Sequence, residues 1–145
     1  MSAASYYEVT EGGELLGDRE SDVERLQAGY VSMLERLLAT RGEVLMIKDL
    51  PHGELDVSDC VSGALDHLED CAFHESEVQF EDWDLPVAEA VDEVALFNPM
   101  PVICPDEVCR PVIGDALVFR GTNHLTATFV RTLAPMIAEA LPELD

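Results

Sequence analysis

Basic side chains are scarce in this sequence. Lysine and arginine together number 8 against 30 aspartates and glutamates, which gives a formal net charge of -22 at pH 7. A surface of this sign repels phosphate groups, so the composition argues against nucleic-acid binding and against adsorption to anionic membranes. A well-solvated acidic surface that keeps the protein soluble is the simplest interpretation, and a specific cationic partner is the alternative.

Long apolar runs are also missing. The longest are short stretches such as Val44-Leu45-Met46-Ile47, whereas a membrane-spanning helix needs about 20 residues. Residues 1–7 have neither the basic region nor the apolar run of a signal peptide. Hydrophobic residues nevertheless make up 48% of the 145 residues, which is enough for a core. We therefore expect one domain over residues 1–145.

The four cysteines are Cys60, Cys71, Cys104 and Cys109, and four cysteines allow three pairings. Their spacing favours two local disulfides, Cys60–Cys71 and Cys104–Cys109, each closing a small loop. Such bridges would require an oxidising compartment. Free thiols are a second possibility at this point.

A zinc site is the third possibility for the cysteines. His67, Cys71 and His74 would share one face if their segment were helical, and Cys60 could supply a fourth ligand. The pattern matches no known zinc motif, so we interpret the histidines as surface residues. We expect no metal and no cofactor.

The order of the predicted elements is that of a parallel α/β sheet. A helix is predicted over 22–41, started by a capping box of Ser21 and Glu24 and stopped by Gly42, and a buried strand follows over 43–49. The remaining predictions are a loop over 10–20, an irregular segment over 52–83, a helix over 86–97, and strands over 101–104 and 116–119 with Cys109 in the loop between them. The last predicted element is a helix over 125–141 that Pro135 kinks or breaks near residues 131–135.

The most informative segment runs from Ala116 to Thr126. A strand ends, a short polar loop follows, and His124 stands just before the last helix. This arrangement can present an imidazole at the rim of an α/β sheet, where ligands of such folds bind. Histidine is the usual general base for a hydroxyl nucleophile because its pKa lies near neutrality.

This segment also resembles a known family. The stretch from Val118 to Pro135, with His124-Leu125-Thr126 near its start, is similar to the last block of SGNH domains fused to acyltransferase-3 membrane proteins. The cysteine segments and the order of helix, Gly42, strand and Pro51 resemble the same domains. The resemblance implies a three-layer α/β/α, flavodoxin-like sandwich with a mostly parallel sheet, expected here as a partial sandwich with its N-terminal part missing.

The resemblance further implies a role in the O-acylation, often acetylation, of cell-envelope carbohydrate beside a membrane acyltransferase. His124 matches the histidine of the family's Asp-x-x-His block, but Gly121 stands at the aspartate position. Asp115 is nearby, at the wrong spacing to substitute. No Gly-Asp-Ser nucleophile block is present, since Gly17-Asp18 and Gly114-Asp115 are followed by other residues. We therefore expect a domain inactive alone, or else a non-catalytic acidic interaction module or a remnant.

Localisation and assembly follow from the same reasoning. The family resemblance places the domain on the extracytoplasmic face of the membrane as part of a longer protein, whereas a complete chain without an export signal would be cytoplasmic. A parallel sheet without its first strands would leave an edge without a partner strand, so we expect a homodimer through that edge.

Overall fold

The computed structural model describes residues 10–11, 13–15, 17–40, 42–78 and 83–142. In chain order its elements are β1 (Thr10–Glu11), β2 (Glu14–Leu15), α1 (Arg19–Leu38), β3 (Val44–Ile47), α2 (Val57–Gly63), β4 (Phe73–His74), α3 (Asp84–Glu89), β5 (Val94–Phe97), α4 (Met100–Ile103), β6 (Val108–Cys109), β7 (Val112–Ile113), β8 (Ala116–Leu117), β9 (Phe119–Arg120), β10 (His124–Leu125) and α5 (Ala127–Ala140). Short 3-10 turns lie at Leu68–Cys71, Glu75–Glu77 and Pro105–Glu107.

The chain divides into two compact units. The parallel unit comprises the described residues of 1–49, 81–97 and 140–145, and the disulfide unit comprises those of 50–80 and 98–139. Each unit has its own cluster of buried apolar side chains.

Helix α1 of the parallel unit begins at Arg19 because Asp18 caps it. The Asp18 carboxylate accepts the Ser21 backbone N–H at 3.0 Å, and Ala39 is the C-terminal cap. The predicted helix is thus confirmed, but the proposed capping box of Ser21 and Glu24 is wrong, because the aspartate upstream takes the cap position. The predicted loop over 10–20 contains instead the antiparallel pair β1–β2, with Gly13 at φ 89° in its turn.

Strands β3 and β5 form a parallel pair in which Val44 to Ile47 stand opposite Val94 to Phe97. The predicted strand over 43–49 is confirmed, whereas the predicted helix over 86–97 is wrong in its second half. Helix α3 ends at Glu89, and the next apolar run pairs with β3 instead of continuing the helix. One sheet face packs on α1 and α3 around a core made by Leu34, Met46, Trp83, Val87 and Val91.

A buried ion pair lies in the parallel unit at the point where β3 ends. Lys48 Nζ lies 3.5 Å from Asp84 Oδ1, and their side chains are 9% and 0% exposed. The backbone N–H groups of Asp49 and Leu85 also donate to the Asp84 carboxylate. Asp84 thereby joins the end of β3 to the start of α3.

Both predicted disulfides of the disulfide unit are confirmed. Cys60 in α2 is bonded to Cys71 with an S–S distance of 1.98 Å, and Cys104 is bonded to Cys109 with an S–S distance of 1.99 Å. The zinc alternative at Cys60 and Cys71 is wrong, because sulfurs bonded to each other are not the thiolate ligands that zinc requires.

Two sequence predictions for the disulfide unit fail. Residues 101–104 do not form a strand, because Asn98 Oδ1 accepts the Met100 N–H at 3.0 Å and α4 starts there. The segment around Cys109 is not a loop, because β6 pairs antiparallel with β4. Helix α5 confirms the predicted last helix and continues through Pro135, so of the two predicted alternatives, a kink or a break, the break does not occur.

The predicted fold class is confirmed as mixed α/β. Among the described residues, however, β3–β5 is the one parallel pair, and the other four pairs are antiparallel and two residues long. Tight turns explain three of these four pairs, since Gly13, Gly114 and Gly121 at positive φ let the chain fold back into hairpins. No helix in the described ranges is both long and apolar enough to cross a membrane.

Candidate functional site

The candidate site is the histidine turn, residues 120–124, which joins β9 to β10. Arg120 stands opposite His124 in this antiparallel pair, and Phe119 stands opposite Leu125. Phe119 is fully buried in the core of the disulfide unit, so it anchors the base of the hairpin. The structure thus places His124 in a strand three residues before α5 begins, close to the predicted position at the helix start.

Gly121 gives the turn its shape. Its φ is 72°, a conformation that costs residues with a Cβ free energy. A glycine at position 121 therefore fits the backbone that the structure adopts.

Three hydrogen bonds tie the histidine turn to the segment that leads into α2. The Val57 N–H donates to the Gly121 carbonyl at 3.1 Å, and the Gly53 N–H donates to the Thr122 carbonyl at 3.2 Å. The Gly121 N–H donates in return to Ser58 Oγ at 3.0 Å. These bonds satisfy three backbone groups of the turn and fix its position on α2.

Asp56 is the N-terminal cap of α2 and organises this contact. Its Oδ1 accepts the Asp59 N–H and the Ser58 hydroxyl, both at 3.0 Å. The Asp59 N–H first, and the Ser58 hydroxyl second, lower the pKa of the Asp56 carboxyl below its ordinary value. Asp56 is therefore ionised at neutral pH.

His124 itself is exposed to solvent. Within the described part of the chain its side chain has no hydrogen bond, ion pair or ring contact. Asp115, the substitute weighed from the sequence, lies in the exposed turn between β7 and β8, and none of the described contacts joins it to His124. The imidazole is thus available to an incoming group but is not oriented by an acid in direct contact.

His67 and His74 make their described contacts outside this turn, whereas His52 directly precedes Gly53, which is bonded to the turn. His67 forms an exposed ion pair with Glu69 at 3.7 Å, and the His74 N–H donates to Glu77 in a short 3-10 turn. His52 is exposed as well. Their interpretation as surface residues agrees with these positions.

Sequence reasoning missed Asp56 and Ser58. An aspartate three residues before Asp59 at a helix start is a recognisable capping signal, so Asp56 could have been identified as a cap. Its link to the histidine turn was not visible, because Ser58 and Gly121 are 63 residues apart in the chain.

Comparisons with known proteins give one match. The family model described as the SGNH domain (fused to AT3 domains) matches residues 2–139. That range includes the histidine turn, α2 and all four cysteines. Searches of the curated proteins and of the solved structures find no match.

Proposed function

Because this chain belongs to the family of SGNH domains fused to AT3 domains, we propose that it takes part in O-acyl transfer, chiefly acetylation, to a cell-envelope carbohydrate. Its membership makes it an acyltransferase-associated module. The carbohydrate acceptor, the acetyl group and the partial α/β/α sandwich implied by the resemblance are parts of this proposal.

The observation that carries the proposal is the position of His124. The imidazole is exposed on a turn whose backbone is held by three hydrogen bonds to the segment around α2. A neutral imidazole held in this way can accept the proton of a hydroxyl group as that hydroxyl attacks an acyl carbonyl, and can then return the proton to the leaving oxygen.

The serine nucleophile that the family pattern would supply is absent from this sequence. The sequence has no Gly-Asp-Ser block, and Ser58 donates its proton to Asp56. We therefore propose that the attacking hydroxyl comes from the acceptor sugar or from the partner acyltransferase. Alone, the chain should show only weak, histidine-dependent reactivity, since removing a nucleophile costs most of the rate.

Hydrolysis of an activated acetyl ester tests the role of His124. All four histidines are exposed, so His67→Ala is a matched control for the background reaction of a surface imidazole. We expect both substitutions to lower the protein-dependent rate of hydrolysis. The loss of rate in His124→Ala should be on the order of tenfold larger than the loss in His67→Ala. Equal losses in the two variants would contradict a special role for His124.

Compartment and assembly complete the proposal. Two disulfides are the state expected outside the reducing cytoplasm, which supports an extracytoplasmic location beside a membrane acyltransferase. β3 and β5 each have one edge that no other described strand pairs, which supports a homodimer through a sheet edge. A sharp monomer peak in size-exclusion chromatography with light scattering would contradict the dimer.

A non-catalytic interaction module is the second candidate, and the net charge of -22 favours it. This function predicts salt-sensitive retention on a cationic partner. His124→Ala should leave that retention unchanged. Retention that disappears with His124→Ala would instead place the binding at the histidine turn.

A further inference from the structure

We propose that Asp56 and Ser58 are positioning residues for His124, which they hold in place through the backbone amide of Gly121. This inference rests on the proposed function of His124 as a base. Neither residue belongs to the segment from Val118 to Pro135 that carries the family resemblance. Both lie at the start of α2, where Asp56 caps the helix and Ser58 occupies its first turn.

The hydrogen bonds run in one direction, with the Gly121 N–H donating to Ser58 and the Ser58 hydroxyl donating to Asp56. A serine hydroxyl has a single proton, and Ser58 donates it to Asp56 Oδ1 at 3.0 Å. The lone pairs of Ser58 Oγ are then free to accept the Gly121 N–H, also at 3.0 Å. The ionised carboxylate therefore fixes Ser58 as an acceptor, and Ser58 then fixes Gly121 in the turn that presents His124.

The second oxygen of Asp56 faces the same glycine. A Cβ added at Gly121 would lie 3.9 Å from Asp56 Oδ2, whereas the described hydrogen bonds to this carboxylate end on Oδ1. An aspartate at position 121 would bring a second carboxylate into this space, and the two like charges would repel.

The assigned role is positioning and not catalysis, because no described contact joins Asp56 or Ser58 to the His124 ring. Their effect must pass through the Gly121 amide and the backbone of the turn. Two further bonds, from Val57 N–H to Gly121 and from Gly53 N–H to Thr122, hold the rest of the turn. The Ser58 bond is the one that depends on a side chain and can be removed by substitution.

Nuclear magnetic resonance of the whole chain tests this assignment. In Ser58→Ala we expect the Gly121 amide to exchange with solvent on the order of tenfold faster and the His124 ring signals to move. Ser58→Thr keeps a hydroxyl and should restore both. The amides of α2 serve as the folding reference within each sample.

A pH titration supplies a second readout. In the unsubstituted protein the Gly121 amide shift should show an acid-range inflection that follows the Asp56 carboxyl. Asp56→Asn should abolish this inflection. Asp59→Asn removes one negative charge three residues further along the chain, within the first turn of α2, and should leave the inflection in place. If Ser58→Ala unfolds α2, this pair of variants still answers the question.

Two results would overturn the proposal. The first is an exchange rate of the Gly121 amide and a set of His124 ring signals that stay unchanged in Ser58→Ala. The second is an acid-range inflection of the Gly121 amide shift that persists in Asp56→Asn. Neither measurement requires an active protein, so the failure of positioning and the failure of the proposed acyl-transfer role are distinguishable. Where His124-dependent ester cleavage is present, Ser58→Ala should reduce it and Ser58→Thr should restore it.

Discussion

Different kinds of contact stabilise the interior of each of the two units. Besides the short pair β1–β2, the parallel unit has two four-residue strands packed on two helices and a buried ion pair between Lys48 and Asp84. The disulfide unit has paired strands of only two residues and both disulfides. Strands this short form few ladder hydrogen bonds, so covalent links and buried side chains must supply what the ladders do not.

The candidate site belongs to the unit with the covalent links. Cys60 lies in α2, the helix that carries Ser58 and begins beside Asp56. The disulfide to Cys71 therefore restrains the helix to which the histidine turn is bonded. We therefore expect the disulfides to hold the candidate site in place as well as to stabilise the unit.

Removing the disulfides should give the largest change in stability, and this change should fall on the disulfide unit. The bonded cysteines are 11 and 5 residues apart, and the chain-entropy relation gives about 2–3 kcal/mol for each bridge. Replacing all four cysteines by serine should lower the free energy of unfolding of the disulfide unit accordingly. Amide exchange at Val118, which is buried in that unit, measures the loss.

Trp83 provides the control for this experiment. It is the single tryptophan of the sequence and lies buried in the parallel unit, so its fluorescence during denaturation reports on that unit. Unchanged exchange at Val118 in the serine variant would contradict the idea that the disulfides stabilise the unit.

Asp84→Ala should produce the next largest effect, this time in the parallel unit. The substitution removes a fully buried carboxylate from Lys48 and from the N–H groups of Asp49 and Leu85. Breaking a buried pair in this way typically costs about 3 kcal/mol or more. Denaturant unfolding followed by Trp83 fluorescence measures the loss.

A double variant separates charge from shape at this pair. Lys48→Met with Asp84→Leu removes both charges and fills the space, so it should recover much of the stability lost in Asp84→Ala. Asp92→Ala, at an exposed position of the same unit, should have little effect. A loss in Asp84→Ala no larger than in Asp92→Ala would contradict an energetic role for the pair.

The elements that were predictable from the sequence are the long or strongly patterned ones. Helix α1 has a repeated apolar face, and β3 is a compact apolar run, so both were found. The cysteine spacing gave both disulfides. The two-residue strands were missed, since two residues are too few to show an alternating pattern. β5 was mistaken for helix because its pairing with β3 is a non-local contact.

The candidate site divides in the same way. His124 was identified from a local pattern of strand, polar loop and helix. Asp56 and Ser58 were not, because their relation to Gly121 exists only after α2 and the histidine turn come together. Local signals thus identified the exposed imidazole, and the fold was needed to identify the residues that hold its turn.

Gly121→Ala should have a smaller effect, confined to the disulfide unit. Gly121 has a φ of 72°, and a residue with a Cβ at such an angle costs about 1 kcal/mol. Gly63→Ala is the matched control, since Gly63 ends α2 without a positive φ and a Cβ there meets nothing within 4 Å. The control should be neutral or slightly stabilising. Equal stabilities of the two variants would contradict the assigned strain.

The smallest expected effect concerns the two helix caps, one in each unit. Asp18 caps α1 through the Ser21 N–H, and Asp56 caps α2 through the Asp59 N–H. These backbone hydrogen bonds are the main reason that the pKa of each carboxyl is lowered. A carboxyl with a lowered pKa in the folded state stabilises that state above its unfolded pKa, which is about 3.9 for aspartate.

The contribution of each cap should therefore be lost as the pH falls below about 4 and passes through the folded pKa. Asparagine caps helices about as well as aspartate but does not titrate in this range. Asp18→Asn should consequently flatten the acid dependence of Trp83 unfolding, and Asp56→Asn should flatten that of amide exchange in the disulfide unit. Comparing each variant with the unsubstituted chain removes the effect of the many other acidic groups, which are common to both. If Asp18→Asn altered the disulfide unit as much as Asp56→Asn does, the caps would not act on their own units, and the contrast between the two units would have to be abandoned.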